Sequence, residues 1–228
     1  MSLARGIAAV MIDLDGTLLD TLPDIAAAAE RMLAALRQPA CTREQIRSFV
    51  GKGIPNLVAR CLEAGAGAAR AAQLQPAALT LFQDFYFEES GRHSVAYPGV
   101  VEGLDQLRAM GLRLACVTNK AERYTLPLLQ QKGLAHYFEL VVSGDTLPRK
   151  KPDPMQLTHI CERFALAPQA ALLIGDSVND ALAARAAGCP VICVSYGYNQ
   201  GGDVHDLDCD AIVGSLSEAA TILERIRS

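Results

Sequence analysis

The pattern of apolar and polar positions divides the 228-residue chain into two kinds of segment. A short apolar run from Ile7 to Ile12 has the length and the β-branched content of a buried strand. From about residue 18 to about residue 93, apolar side chains recur at steps of three and four, which predicts consecutive helices without a strand between them. After Tyr97-Pro98-Gly99, short apolar runs alternate with helical patterns.

The alternating part of the chain predicts the fold class. Its predicted strands are Leu112–Val117, Phe138–Val142, Ala171–Ile174, Val191–Val194 and Ala211–Val213. Its predicted helices are Val100–Met110, Ala121–Lys132, Pro154–Phe164, Asn179–Ala187 and one at the C-terminus. Strands that alternate with helices form parallel sheets covered on both faces. The chain is therefore predicted to be an α/β protein with a doubly wound, Rossmann-like parallel sheet.

The uninterrupted helical part predicts a second domain. Its helices are predicted over 18–36, Thr42–Phe49, Ile54–Ala64 and Pro76–Ser90. Thr42 and Gln45 have the spacing of a capping box at the start of the second helix. We therefore expect an α/β core of residues 1–17 and 94–228, with a helical domain of residues 18–93 inserted after the first strand.

Composition and charge restrict the partners of the protein. Half of the residues are hydrophobic, the net charge is −4 and no basic block occurs, which argues against nucleic acid or an anionic membrane surface as the main partner. No apolar run approaches the length needed to span a membrane. The seven cysteines are scattered without a Cys-x-x-Cys pair, as expected for reduced thiols in a cytoplasmic protein. The sequence is compatible with a monomer or a homodimer.

Two carboxylates follow the first predicted strand. The period of two along a strand places Asp13 and Asp15 on one side, Gly16 permits a sharp turn, and Thr17 offers a hydroxyl and an amide to an anion. Acids this close favour a bound divalent cation such as Mg²⁺. Asp13 can also attack phosphorus while Asp15 acts as general acid and base. An acidic turn that caps the next helix is the alternative interpretation.

Polar side chains also follow three later predicted strands. They are Thr118 with Asn119, Lys151, and Asp176 with Asp180. Ligands bind at the carboxyl ends of parallel strands, so we expect these groups to converge on Asp13. A hydroxyl, an amide and a lysine suit a phosphoryl group, and Asp176 can complete a metal site.

Each of these later residues has a structural alternative when it is taken singly. Thr118 is compatible with a helix cap, Lys151 with a solvated surface charge, and Asp176 with Asp180 with a capping pair. Asp180 can bind the metal through water or orient Lys151. Their joint occurrence at the strand ends favours a catalytic site over these separate roles.

Taken together, these residues resemble the four motifs of the haloacid dehalogenase superfamily of phosphatases. The motifs are Asp13-Leu14-Asp15-Gly16-Thr17, Thr118-Asn119, Lys151-Pro152 and Gly175-Asp176-Ser177-Val178-Asn179-Asp180. The resemblance implies Asp13 as nucleophile, Asp15 as general acid and base, and Thr118 and Lys151 as phosphate binders. It implies Mg²⁺ ligands among Asp13, Asp15, Asp176 and Asp180, with further substrate contacts from Gly16, Thr17 and Asn119. The helical insert then corresponds to the mobile cap of that superfamily.

A narrower resemblance concerns the substrate. Four segments are similar to segments of the bacterial phosphoglycolate phosphatases, namely Val117-Thr118-Asn119-Lys120, Lys151-Pro152-Asp153-Pro154, Gly188-Cys189-Pro190 and Ser195-Tyr196-Gly197-Tyr198-Asn199. This resemblance implies hydrolysis of a small phosphorylated metabolite, 2-phosphoglycolate, to glycolate and phosphate. In the cap, Gly51-Lys52-Gly53 predicts a tight loop whose Lys52 enters the closed site and binds the substrate, although an exposed helix-breaking turn fits the same residues.

Other functions remain compatible with the same motifs. A small phosphosugar phosphatase or a phosphomutase of the same superfamily would use the same two aspartates. A binding protein on an inactive phosphatase scaffold would have no need for Asp13, Asp15, Lys151 and Asp176 together. A dehalogenase would need neither Asp15 nor a metal. We therefore expect a Mg²⁺-dependent phosphomonoester hydrolase that forms an aspartyl-phosphate.

Overall fold

The structure is a computed structural model that describes residues 6–227. The strands are β1 (Ala9–Ile12), β2 (Leu19–Asp20), β3 (Val95–Ala96), β4 (Arg113–Val117), β5 (Leu140–Val142), β6 (Ala171–Gly175), β7 (Val191–Val194) and β8 (Ala211–Val213). The α-helices are α1 (Leu22–Ala35), α2 (Arg43–Phe49), α3 (Ile54–Ala66), α4 (Ala68–Glu89), α5 (Val100–Ala109), α6 (Glu122–Gln131), α7 (Met155–Phe164), α8 (Val178–Ala187) and α9 (Leu216–Arg227).

A six-stranded parallel sheet forms the centre of the molecule, with the strand order β5-β4-β1-β6-β7-β8. Strand β1 lies between β4 and β6, and Ile12 is in register with Cys116 and with Ile174. The carboxyl ends of these three strands therefore meet at one edge. The predicted α/β fold with a doubly wound parallel sheet is confirmed.

Both faces of the sheet are covered by helices because successive side chains of β1 point to opposite sides. Val10 and Ile12 belong to a buried cluster with residues of α5 and α9, whereas Met11 packs in another cluster with residues of α7 and α8. Val10, Met11 and Ile12 are fully buried. The continuous apolar run of β1 is thus explained by burial on both faces.

Helices α1 to α4, called here the four-helix insert, have a hydrophobic cluster of their own that includes Met32, Ile46, Leu62 and Phe82. Both chain connections between this insert and the sheet pass through a short antiparallel pair, β2 with β3. The chain thus passes between the sheet and the four-helix insert through a single short ribbon, although Tyr124 and Tyr198 from the sheet side also pack in the cluster of the insert.

Two predicted features of the helical segment are wrong. The first helix begins at Leu22 rather than at residue 18, because the amides of Leu18 and Leu19 bond to the Leu14 carbonyl in a turn, and β2 follows. A strand therefore lies where only helices were expected. Helix α4 begins at Ala68 rather than at Pro76, since the alanine-rich residues before this proline are strong helix formers.

The capping box at α2 is present, with the Thr42 side chain bonded to the Gln45 amide and the Gln45 side chain bonded to the Thr42 amide. Across residues 6–227, none of the helices has both the length and the apolar character that a membrane crossing requires. The seven cysteines are all free thiols, and six of them are buried.

Candidate active site

A cavity of about 270 Å³ lies between the carboxyl edge of the sheet and the four-helix insert. From the sheet side it is lined by Asp13, Asp15, Thr118, Asn119, Lys151 and Asp176. From the insert it is lined by apolar side chains that include Val50, Ile54, Leu57 and Phe82. The structure therefore brings the polar residues after β1, β4 and β6 together at one cavity, as their positions at strand ends predicted.

Lys151 lies at the centre of the charged groups. Its Nζ atom is 2.9 Å from Asp13 Oδ1 and 2.6 Å from Asp180 Oδ1, and it also donates to the Val117 carbonyl at 2.9 Å. The Lys151 side chain is only 2% exposed. Burial alone would lower the pKa of Lys151, but Asp13 and Asp180 raise it above its usual value. Lys151 thus remains a cation beside Asp13.

Asp180 has two roles in this arrangement. One carboxylate oxygen bonds to Lys151, and the other accepts hydrogen bonds from the Ser177 amide and hydroxyl at 3.1 and 2.6 Å. Ser177 and Asp180 form a capping box at the start of α8. Asp180 therefore caps the start of α8 and also holds the Lys151 ammonium, so both interpretations of this residue apply.

Asp13, Asp176 and Asp180 form a cluster of buried carboxylates that can hold a metal ion, since one oxygen from each lies within 4.8 Å of the others. Burial, together with the charges of Asp180 and Asp176, raises the pKa of Asp13 to about 8 against the lowering effect of Lys151. Burial and the charge of Asp180 likewise raise the pKa of Asp176 to about 7. Three clustered carboxylates, of which only Asp13 and Asp180 contact Lys151, offer oxygen ligands alone and fit a hard divalent cation.

Asp176 is held in place by three neighbours. Its Oδ2 atom accepts hydrogen bonds from the amides of Tyr198 at 2.6 Å and Asn199 at 3.3 Å, and its Oδ1 atom contacts the Thr17 hydroxyl at 3.4 Å. Gly16 leaves room for it, because a Cβ atom at Gly16 would lie 2.5 Å from Asp176 Oδ2. Gly16 also has a φ of +87°, a conformation that favours glycine.

Asp15 does not join the carboxylate cluster through its side chain. Both of its carboxylate oxygens lie 2.8 Å from Lys120 Nζ, and Oδ1 also accepts a hydrogen bond from the Thr21 hydroxyl at 2.8 Å. The Lys120 side chain is 4% exposed and its ammonium lies 5.1 Å from the centre of the Tyr86 ring. Asp15 is thus held at the cavity separately from Asp13.

Thr118 and Asn119 connect the end of β4 to the cavity. The Thr118 hydroxyl accepts a hydrogen bond from the Lys120 amide at 3.2 Å, but Thr118 is not a helix cap, because Ala121 is the N-cap of α6. The Asn119 amide nitrogen donates to the carbonyls of Gly51 at 2.9 Å and Lys151 at 2.8 Å, while its buried Oδ1 atom has no partner. Asn119 therefore joins the sheet edge to the turn between α2 and α3 and leaves one acceptor unused.

Three predicted substrate-binding residues do not line the cavity. The Thr17 hydroxyl is directed to Asp176, and the missing side chain of Gly16 leaves room for the Asp176 carboxylate. The Lys52 side chain is exposed, whereas Gly51 and Gly53 on either side of it line the cavity. The roles of Gly16, Thr17 and Lys52 toward a substrate stay predictions.

Three residues without a predicted role also contact the site, namely Lys120, Gln156 and Tyr198. Gln156 is fully buried and bonds to the Lys151 amide and to the carbonyls of Thr118 and Ser143. It thereby holds the second and third motifs together. Two sequence signals could have identified Lys120: its position directly after Thr118-Asn119 at a strand end, and its place in the segment Val117-Thr118-Asn119-Lys120 that carries the narrower resemblance.

The loop after β7 links the carboxylate cluster to the four-helix insert. The Tyr198 hydroxyl accepts hydrogen bonds from the amides of Thr21 at 2.7 Å and Leu22 at 2.9 Å and donates to Asp20 at 2.8 Å. Its own amide bonds to Asp176, as described above. Tyr198 therefore spans the distance from Asp176 to the first turn of α1.

Comparison with known proteins identifies the family of this chain. The haloacid dehalogenase-like hydrolase family matches residues 10–194. A phosphoglycolate phosphatase of Nitrosospira multiformis is 56% identical over 219 residues, and the match covers 96% of each chain. A phosphoglycolate phosphatase of Thiobacillus denitrificans is 53% identical over 219 residues, again with 96% of each chain covered.

Solved structures agree with this match. The crystal structure of a predicted phosphoglycolate phosphatase from Haemophilus somnus superposes with a TM-score of 0.91 at 31% identity, over 96% of this chain and 98% of that chain. The resemblance drawn from the four motifs is therefore confirmed. The chain belongs to the haloacid dehalogenase-like hydrolase family and, like these relatives, is a phosphatase.

Proposed function

We propose that this phosphatase hydrolyses 2-phosphoglycolate to glycolate and phosphate, with Mg²⁺ as cofactor and an aspartyl-phosphate on Asp13 as intermediate. The observation that carries the proposal is the buried group in which Lys151 lies 2.9 Å from Asp13, beside Asp176 and Asp180. The substrate is suggested by the two relatives named phosphoglycolate phosphatase that are more than half identical to this chain.

The first chemical step transfers the phosphoryl group to the protein. An Asp13 carboxylate oxygen forms a bond to phosphorus while the bond from phosphorus to the glycolate oxygen breaks. Asp15 gives its proton to the leaving oxygen as general acid. Lys151, 2.9 Å from Asp13, counters the negative charge that the phosphate brings beside this carboxylate.

The second step returns the enzyme to its starting state. Asp15 takes a proton from a water molecule, which attacks the phosphorus of the aspartyl-phosphate and releases phosphate. Lys120 and Thr21 hold Asp15 at the cavity through 2.8 Å hydrogen bonds, so the same carboxyl group is available for both proton transfers. We expect Thr118 and Asn119 to bind the phosphate oxygens during both steps.

The carboxylates of Asp13, Asp176 and Asp180 fit a divalent cation, and we assign them, with the Asp15 carbonyl, to Mg²⁺. When bound, Mg²⁺ would offset the charge of the phosphate and of the clustered acids. Because Asp180 bonds to both Lys151 and Ser177, its contact with the metal is proposed to run through water.

The four-helix insert is proposed to act as a cap over the substrate. Its apolar residues, with Gly51 and Gly53, form one wall of the cavity, so closure would exclude bulk water from the reaction. We retain the prediction that Lys52 reaches the substrate in a more closed arrangement. The cytoplasmic location and the monomeric or dimeric state also stay predictions.

The test is phosphate release from 2-phosphoglycolate, phosphosugars, nucleotides and phosphoserine, with Mg²⁺ or with a chelator. We expect 2-phosphoglycolate to lead by a wide margin, and both the chelator and Asp13→Asn to abolish activity. A lead for a phosphosugar would refute the substrate assignment, and turnover that requires a bisphosphate primer would indicate a mutase. Activity retained by Asp13→Asn would refute the aspartyl-phosphate mechanism.

A further inference from the structure

Four cationic side chains line the cavity, namely Lys120, Arg123, Lys150 and Lys151. Three of them have partners within the protein. Lys120 pairs with Asp15 at 2.8 Å, Lys151 pairs with Asp13 and Asp180, and Arg123 lies 4.5 Å from the centre of the Tyr124 ring and donates to its hydroxyl.

Lys150 differs from the other three cations. Within residues 6–227, no carboxylate lies within ion-pairing distance of its ammonium, and no aromatic ring lies beneath it. The charge is nevertheless only partly exposed and borders a cavity with an apolar wall. An ammonium in such a place gains most from a bound anion, because nearby apolar groups reduce its hydration.

The position of Lys150 is defined by the turn between α2 and α3. A Cβ atom added at Gly53 would lie only 2.6 Å from Lys150 Nζ and 3.9 Å from the Asn119 carbonyl. The ammonium therefore lies against the backbone of the four-helix insert, at the place where this insert meets the sheet edge. The neighbouring Lys151 faces Asp13, and the Cα atoms of two consecutive residues are only about 3.8 Å apart.

We propose that Lys150 binds the carboxylate of the substrate and so determines the preference for a phosphate ester with a second, nearby negative charge. This inference rests on the proposed function. Each lysine would bind one anionic group of the substrate, with Lys151 next to the phosphate and Lys150 next to the carboxylate. The absence of a side chain at Gly53 leaves space for the Lys150 ammonium.

The test compares two substrates in the wild type and in Lys150→Met. The substrates are 2-phosphoglycolate and ethyl phosphate, which has a methyl group in place of the carboxylate. For Lys150→Met we expect kcat/KM for 2-phosphoglycolate to fall about 10- to 100-fold, mainly through KM, because a charge-assisted hydrogen bond is lost. The value for ethyl phosphate should change no more than about threefold, and Lys150→Arg should restore part of the preference.

Arg149→Met is the matched control, because Arg149 is 65% exposed, pairs with Asp153 and does not line the cavity. It removes one positive charge from the neighbouring position and should leave the preference unchanged. Lys52→Met tests the rival cation in the turn. A selective loss in Lys52→Met but not in Lys150→Met would overturn the inference.

The failure of this inference can be distinguished from the failure of the proposed function. If the wild type prefers 2-phosphoglycolate and Lys150→Met keeps that preference, Lys150 does not bind the carboxylate, and the proposed function stands. If the wild type hydrolyses both esters equally well, the substrate assignment and the role of Lys150 are both wrong. Equal losses on both esters in Lys150→Met would indicate a general effect on catalysis and would also overturn the inference.

Discussion

The Asp24 carboxylate accepts hydrogen bonds from the segment through which the chain returns from the four-helix insert to the sheet. Replacement of Asp24 by asparagine tests how much these hydrogen bonds contribute to the free energy of unfolding. Asp24 is fully buried in the first turn of α1. Its carboxylate accepts hydrogen bonds from the amides of Gly91 at 2.8 Å, His93 at 2.7 Å and Ser94 at 3.1 Å, and from the Ser94 hydroxyl at 2.5 Å. All of these donors lie between α4 and β3.

The size of the effect follows from these contacts. In Asp24→Asn, an NH₂ group replaces one acceptor oxygen and faces a backbone donor, so at least one hydrogen bond to a charged group is lost and the others weaken. A hydrogen bond to a charged group contributes about 1.5–3 kcal/mol. We therefore expect the free energy of unfolding to fall by about 2–4 kcal/mol, which lowers Tm by about 5–15 °C in a chain of this size.

Differential scanning calorimetry and urea unfolding measure this change. Asp84→Asn is the control, because Asp84 is exposed on α4, where such substitutions change stability by less than about 0.5 kcal/mol. If Asp24→Asn unfolds within about 2 °C of the wild type, the carboxylate does not stabilise the connection, and the reasoning from its hydrogen bonds is refuted.

Three further predictions concern charged groups. Lys120→Met should lower kcat for the preferred phosphate ester about 100-fold with little change in KM, because Asp15 loses its two 2.8 Å contacts with the Lys120 ammonium and keeps only the one with Thr21; unchanged steady-state kinetics would contradict this. We expect Mg²⁺ at a hundred times Kd to stabilise the wild type by about 2.7 kcal/mol, seen as a rise in Tm, and Asp176→Asn to abolish that rise; an equal rise in Asp176→Asn would contradict this. Burial raises the pKa of Asp210, but hydrogen bonds from Arg185 lower it below its usual value overall. The charge of Asp210 therefore stabilises the fold above about pH 3.9 and less as the pH falls through its folded-state pKa, so the Tm deficit of Asp210→Asn should narrow in acid.

The fold and the centre of the site were predictable from the sequence because both depend on local patterns. Apolar runs identified all six sheet strands, and parallel strands end at one edge. The side chains of Asp13, Thr118, Lys151 and Asp176 were therefore expected to meet, since each follows the end of a predicted strand. The apolar residues before Leu22 also fit a helical repeat and so predict a helix from residue 18, although they form a turn and a strand.

The supporting contacts could not be predicted because they join distant parts of the chain. Asp24 has the sequence signature of an ordinary first-turn acid, yet its partners lie 67 to 70 residues further along. Lys120 and Asp15 are 105 residues apart, and Tyr198 reaches an amide 177 residues away. Such pairings depend on which distant segments the tertiary fold brings together, for which the apolar pattern of a single sequence has no signal.

Under the proposed function, the contacts of Tyr198 would make metal occupancy and the position of the four-helix insert thermodynamically linked quantities. Tyr198 bonds to Asp176 through its amide and to the amides of Thr21 and Leu22 through its hydroxyl, so a displacement at either end would act on the other. Linkage is reciprocal: whatever factor Mg²⁺ contributes to the equilibrium between open and closed insert, closure contributes the same factor to Mg²⁺ affinity. Substrate capture beneath the insert would then retain the cation, and loss of the cation would favour product release.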